Sequence, residues 1–265
     1  ADFLARYNAD GMPLPKTKPG ELDTKPTYQQ LDGRFSHNDS NGYDMAKMTD
    51  RDKQEITAAY YAMIELIDKQ VGRMVGTLED TGQLDNTIVI FMSDHGEMLG
   101  DHGFYLKGPH FYDEAVRVPL IISWKDRIQS EVRADCLMEL IDIAPTLLEA
   151  SGIDIPDYIQ GRSLMPILLG QAPADRHRDY VFSEYYNAWT HKHSYGSMLR
   201  TRDEKVVVYH GTDQGELYDL KNDPDEFENL WSNPSHTDRK MRLLKACFDA
   251  SVFTMDPAPP RLGPF

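Results

Sequence analysis

Residues Thr87–Ser93 read TIVIFMS, a nearly unbroken apolar run that stops at the pair Asp94–His95. The run is too short for a helix and rich in β-branched and aromatic residues. It does not alternate between apolar and polar positions, so it predicts a strand covered on both faces, as at the centre of a parallel sheet. Such a strand needs helices above and below it. The segment before it supplies one. Ile56, Ala59, Tyr60, Met63, Ile64, Ile67, Val71, Met74, Val75 and Leu78 recur at spacings of three and four, which predicts an amphipathic helix over about 50–80. Thr49 or Asp50 is placed to cap its start and Gly82 to end it.

Val118–Ser123 (VPLIIS) predicts a second strand. Residues 135–151 predict another helix, broken at Pro145 and stopped at Gly152. Alternating helices and strands imply an α/β fold with a mixed, mostly parallel sheet flanked by helices. Beyond about residue 176 the pattern changes to short runs (DYVFSEYYN, YGSMLRTRD, KVVVYHG, GELYDLKND) with turn residues between them. These predict a small antiparallel sheet, closed by a helix near 236–250 and followed by a Pro-rich tail. The organisation expected is therefore 1–175 as one α/β portion, with 1–48 an extended surface segment rich in Pro and Gly, and 176–265 as an antiparallel subdomain.

The 265 residues carry 28 Lys and Arg against 43 Asp and Glu, a formal net charge of −15. That balance argues against nucleic acid as a partner, because phosphate backbones need a basic surface. It leaves room for a small anion held by local cations or a metal. No apolar run approaches the length of a membrane span. Cys136 and Cys247 stand far apart, outside any ligand-like spacing, and read as unpaired thiols; the compartment stays open. The first residues, ADFLARYNADG, read as the continuation of a longer polypeptide.

Ligands of open sheets bind beyond the carboxyl ends of strands, where Asp94 and His95 fall. A carboxylate and an imidazole suit a divalent cation, and Gly96 permits the turn that brings both to one ion. The competing structural reading makes Asp94 a helix N-cap, with Glu97 completing a capping box. Lys107 lies on a stretch punctuated by Gly96, Gly100, Gly103 and Gly108, so it can fold back toward an anion; otherwise it is a solvated surface lysine. His102 is a candidate to orient a metal-ligating carboxylate, or a loop-packing residue. His110 is a further candidate for contact with substrate. The stretch EYYNAWTHKHSYG (184–196) has rings enough to line a pocket mouth or simply to pack.

Four stretches in order resemble the sulfatase family of the alkaline phosphatase superfamily. They are NTIVIFMSDHGEMLGDHG, YLKGPHFYDEAVRVPLII, DIAPTLLEASGIDIPDYIQGRSLMPIL and GELYDLKNDPDEFENLW. The resemblance implies that Asp94 and His95 are two metal ligands and that Lys107 holds the sulfate group. It implies one divalent ion, calcium first, with manganese or magnesium as alternatives. In this family the attacking group is a formylglycine made from the cysteine of C-x-P-x-R. Neither cysteine here stands in that motif, and Ser232 in SNPSH ends in His236 rather than Arg. No nucleophile is therefore expected in this chain. The resemblance points to a C-terminal portion that works with an N-terminal half on a small sulfate ester, the chain by itself being inactive. Alternatives are a phosphodiesterase or phosphonate monoester hydrolase of the same superfamily, or a non-catalytic binding or structural module.

Overall fold

The structure, a computed structural model, describes residues 2–30, 47–186 and 194–254. The helix near 50–80 forms as the periodicity requires: α1 spans Asp50–Asp80. Thr49 is its N-cap, its hydroxyl accepting the Asp52 amide while the Asp52 carboxylate accepts the Thr49 amide at 2.7 Å. Gly82, at φ +68, takes the chain out of the helix. The apolar stripe is not buried as expected. Thr57, Ala58 and Ala62 are buried, whereas Met63, Ile64, Ile67 and Met74 are exposed. Short 3-10 turns at Leu4–Arg6 and Ala9–Gly11 lie along part of the helix, with Tyr7 edge-on to Tyr61. The described residues provide no cover for the rest of the stripe.

The two predicted strands form as β1 (Val89–Met92) and β2 (Leu120–Ser123), but they pair antiparallel, Met92 opposite Leu120 and Val89 opposite Ser123. An apolar run shows that both faces want cover; it does not encode the direction of its neighbour. Antiparallel pairing puts the end of β1 beside the start of β2. Residues 93–119 are thus one excursion that leaves and rejoins the same end of the pair. Its one helix, α2 (Asp113–Val116), is a single turn.

Residues 2–126 form the first of two units and 127–254 the second. In the second unit, residues 135–151 are helical only in their last part, through a 3-10 turn at Leu140–Asp142 and α3 (Ile143–Ala150). Pro145 lies in the first turn of α3, where its missing N–H costs nothing, rather than at a break. Upstream, Leu137 bridges to Arg178 in extended conformation. A further turn, α4 (Met165–Leu168), follows. The antiparallel sheet is as expected: β3 (Val181–Tyr186), β4 (Tyr195–Arg200), β5 (Glu204–Tyr209) and β6 (Gly215–Asp219), in sequential order. Helix α5 (Thr237–Phe253) closes it, burying Leu243, Cys247 and Ala250 against Leu199, Val206, Leu217 and Leu230.

Candidate metal and anion site

Asp94 lies two residues past the end of β1, and no helix follows it, so the N-cap reading fails. The turn is instead held by Ser93, whose hydroxyl donates to the His95 carbonyl at 2.7 Å, and by the His95 amide, which donates to Asp94 Oδ1 at 3.0 Å. Gly96 is the pivot. Its amide donates to the Ala115 carbonyl at 2.8 Å, and a Cβ there would lie 1.8 Å from the Glu114 carbonyl oxygen. Only glycine permits that approach of α2 to the turn.

The His95 ring is oriented for ligation. Its Nδ1 lies 2.8 Å from the Gly96 carbonyl and donates to it, so Nε2 carries the lone pair. That Nε2 is 3.7 Å from Asp94 Oδ2, a separation that two bonds of about 2.0–2.6 Å to one ion can span. The Asp94 side chain is 84% exposed and open to a ligand. Desolvation pushes its carboxyl up, but the His95 ring, the Asp94 and His95 amides and the Lys107 ammonium outweigh it. The carboxyl therefore titrates below its ordinary value and stays ionised at neutral pH, as a metal ligand must. The donor set fits a divalent cation. It is incomplete: among the described residues no three His, Cys, Asp or Glu side chains group together as a metal site.

Lys107 is exposed and makes no ion pair among the described residues. Residues 97–106 fold into a tight loop before it, with Met98 N donating to the Leu106 carbonyl at 2.9 Å and Gly100 N to the Phe104 carbonyl at 2.7 Å.

His102 and His110 are both buried. His102 Nδ1 faces Glu21 Oε1 at 3.1 Å, and the ring stacks on Tyr112 at 3.8 Å. His110 lies against Phe104, their centroids 4.3 Å apart. These rings link the loop to the N-terminal segment, where Glu21, Lys25 and Gln29 are buried. The His102 amide donates to the Lys16 carbonyl, and the Lys16 amide donates to Asp101 Oδ1 at 2.7 Å. The aromatic stretch 187–193 lies outside the described residues.

The other two resembling stretches act as structural ties. The Asp142 carboxylate accepts the amides of Glu139 at 2.9 Å and Arg162 at 2.7 Å and the Arg178 guanidinium, and Gly161 passes close over the Ile141 carbonyl. In the last stretch Glu226 forms a fully buried pair with Lys205 of β5, and Asn229 bonds both the Leu217 amide and the Gly215 carbonyl.

Two family profiles match the chain: N-sulphoglucosamine sulphohydrolase, C-terminal, over residues 100–251, and Sulfatase over residues 23–153. The chain belongs to the sulfatase family. This sulfatase-family chain is 35% identical over 197 residues to the N-acetylglucosamine-6-O-sulfatase of Bacteroides thetaiotaomicron, covering 72% of this chain and 35% of that protein. It is 32% identical over 254 residues to arylsulfatase K of Bos taurus, covering 91% of this chain and 45% of the relative. Among solved structures it superimposes on the phosphonate monoester hydrolase SpPMH of Silicibacter pomeroyi with a TM-score of 0.84 at 30% identity, over 97% of this chain and 53% of that one. The chain thus spans roughly a third to a half of these relatives. Its fold is the alkaline-phosphatase-like α/β architecture, with the small antiparallel sheet and its helix at the C-terminal end.

Proposed function

We propose that this sulfatase-family chain supplies part of the metal site and the anion-holding cation of an enzyme that hydrolyses a small sulfate ester. The observation that carries the reading is the Asp94–His95 turn, with Nε2 and Oδ2 free and 3.7 Å apart at the end of β1. Asp94 and His95 hold one divalent ion, calcium by family resemblance, with manganese or magnesium as alternatives. Held there, such an ion would supply Lewis-acid polarisation of the sulfuryl oxygens, while the attacking group, a formylglycine in this family, would come from an N-terminal half outside this chain. Lys107 holds the anion through a compact ammonium and opposes the charge that grows on the leaving oxygen. His95 keeps Nε2 available because its Nδ1 proton is committed to the Gly96 carbonyl. His102 and His110 hold the loop's shape from beneath rather than touch the substrate.

The test is made in the full-length protein. Lys107→Ala lowers kcat about 100- to 1000-fold, roughly 2.7–4 kcal/mol, by analogy with the loss of one oxyanion-hole donor. Metal content stays the same. Asp94→Ala lowers both rate and metal content. Wild-type kcat in Lys107→Ala would make that lysine a surface residue. The 265-residue chain by itself should turn over neither an aryl sulfate nor an aryl phosphodiester.

The likeness to a phosphonate monoester hydrolase supports a second reading, a phosphonate or phosphodiester substrate at the same site. The same two ligands and lysine would serve either anion. The ratio of kcat/KM for 4-nitrophenyl sulfate and 4-nitrophenyl phenylphosphonate separates the two readings.

A further inference from the structure

Glu97 is a carboxylate on the site loop whose place in the backbone is unusual. Residues 98–106 close like a miniature hairpin, but only from one side. Met98 N donates to the Leu106 carbonyl at 2.9 Å, while the Met98 carbonyl takes the Asp101 amide at 2.8 Å. The Leu106 amide is thereby left without a backbone acceptor across the loop. Glu97 Oε1 takes it, at 2.5 Å, and takes the Leu99 amide as well, at 3.2 Å. One carboxylate oxygen thus ties both strands of the loop mouth.

The tie falls at a sensitive place. Leu106 has φ +62, in the left-handed region that L-residues avoid, and it immediately precedes Lys107. The direction in which the lysine leaves the loop is set by that residue's backbone. A charge-assisted hydrogen bond to its amide is strong enough to hold it there. The Met98 amide holds the Leu106 carbonyl from the other side, at 2.9 Å, so the Glu97 bond completes the clamp on this residue. Glu97 also lies two residues from His95, so a single short segment carries the metal ligands and the clamp on the cation.

We propose that Glu97 is the positioning residue for Lys107, acting through the Leu106 amide. The inference rests on the reading of Lys107 as the anion-holding cation. It assigns Glu97 no contact with substrate or metal.

The experiment uses the full-length protein with 4-nitrophenyl sulfate and compares Glu97→Met, Glu97→Gln, Lys107→Ala and the double variant Glu97→Met/Lys107→Ala. Methionine keeps the side chain's length and removes both acceptor oxygens; glutamine keeps one. Glu97→Met is expected to lower kcat/KM about tenfold or more, with unchanged metal content, as misplacement of a catalytic group by a fraction of an ångström does. Glu97→Gln recovers most of that loss, because a carboxamide oxygen still accepts the Leu106 amide. In the Lys107→Ala background, Glu97→Met costs nothing further, since the group it positions is gone. Losses that multiply in the double variant, a drop in metal content in Glu97→Met, or a glutamine variant as impaired as the methionine one would each overturn the assignment while leaving the role of Lys107 intact. Wild-type kcat/KM in Lys107→Ala would instead overturn the reading of the site, and this inference with it. If Glu97→Met does not fold, the glutamine variant decides: near wild-type kcat/KM supports the clamp, and a loss of tenfold or more refutes it.

Discussion

Asp142 shows how much one buried carboxylate can hold. Its side chain is fully buried and gathers two amides, the Arg178 guanidinium and the edge of His177, whose Nε2 is 3.3 Å from Oδ2 but off the hydrogen-bonding line. Burial alone would push this carboxyl up, yet the Arg178 bonds and the Arg162 and Glu139 amides outweigh it and leave it below its ordinary value. A depressed folded-state pKa gives stability that is present above the unfolded value, about 3.9, and is lost as pH falls through the folded one. Neighbouring Glu139 behaves oppositely: burial raises its carboxyl, so its contribution is lost as pH rises through the folded value. Asp142→Asn should destabilise the protein at neutral pH by less than the about 3–5 kcal/mol of a fully stranded buried charge, because Arg178 keeps Glu139 as a partner at 3.0 Å. The gap in Tm between the variant and wild type should narrow as pH falls below the unfolded value of about 3.9 and through the lower folded one, where first the unfolded and then the native carboxylate takes up a proton. Two parallel melting curves from pH 7 to 3 would refute this account. At this scale the sequence placed Asp94 and His95 just past a strand end, where they lie; their ligand role is proposed above. It was silent on Glu97, whose spacing from Asp94 suggested a capping box: the decisive partner, the Leu106 amide, is nine residues away and reachable only through a left-handed turn.

Among the elements, those with a strong local period were legible. The 3.6-residue stripe and a cap at Thr49 or Asp50 located α1 to within a residue, and the short runs between turn residues located β4 to β6. What failed was information the local pattern does not carry. Strand direction was misread because burial on both faces is indifferent to it, so β1 and β2 are antiparallel where parallel neighbours were expected. The helix at 135–151 was over-extended because the apolar residues 136–138 serve an extended segment bridged to Arg178. The best-determined element contact is α5 on the antiparallel sheet. Leu243 is 1% exposed in that layer. Leu243→Ala should therefore destabilise the protein by about 2–5 kcal/mol, transfer and cavity terms together, read as a lower denaturant midpoint at unchanged slope. A cost under about 1 kcal/mol would mean that the layer is looser than its burial indicates.

For the molecule as a whole, the first unit leaves several large apolar side chains open. Met63, Ile64, Ile67 and Met74 along α1 and Ile121 on β2 are all more than two-fifths exposed. The stripe along α1 is apolar surface of the kind that marks an interaction face in a folded protein. The purified 265-residue chain should therefore bind an environment-sensitive dye such as ANS at neutral pH without losing its helical circular dichroism, and Ile64→Lys/Ile67→Lys should abolish that signal. Absence of dye binding by the unsubstituted chain would mean that the stripe finds cover within it. A surface of this kind is also what a cell's surveillance reads. Holdase chaperones bind open apolar stripes irrespective of how stable the rest of the chain is, and aggregation competes with them for the same face. The soluble yield of this chain in a host should then track chaperone supply rather than thermodynamic stability. Its turnover would be decided by how long one helix face waits for a covering partner.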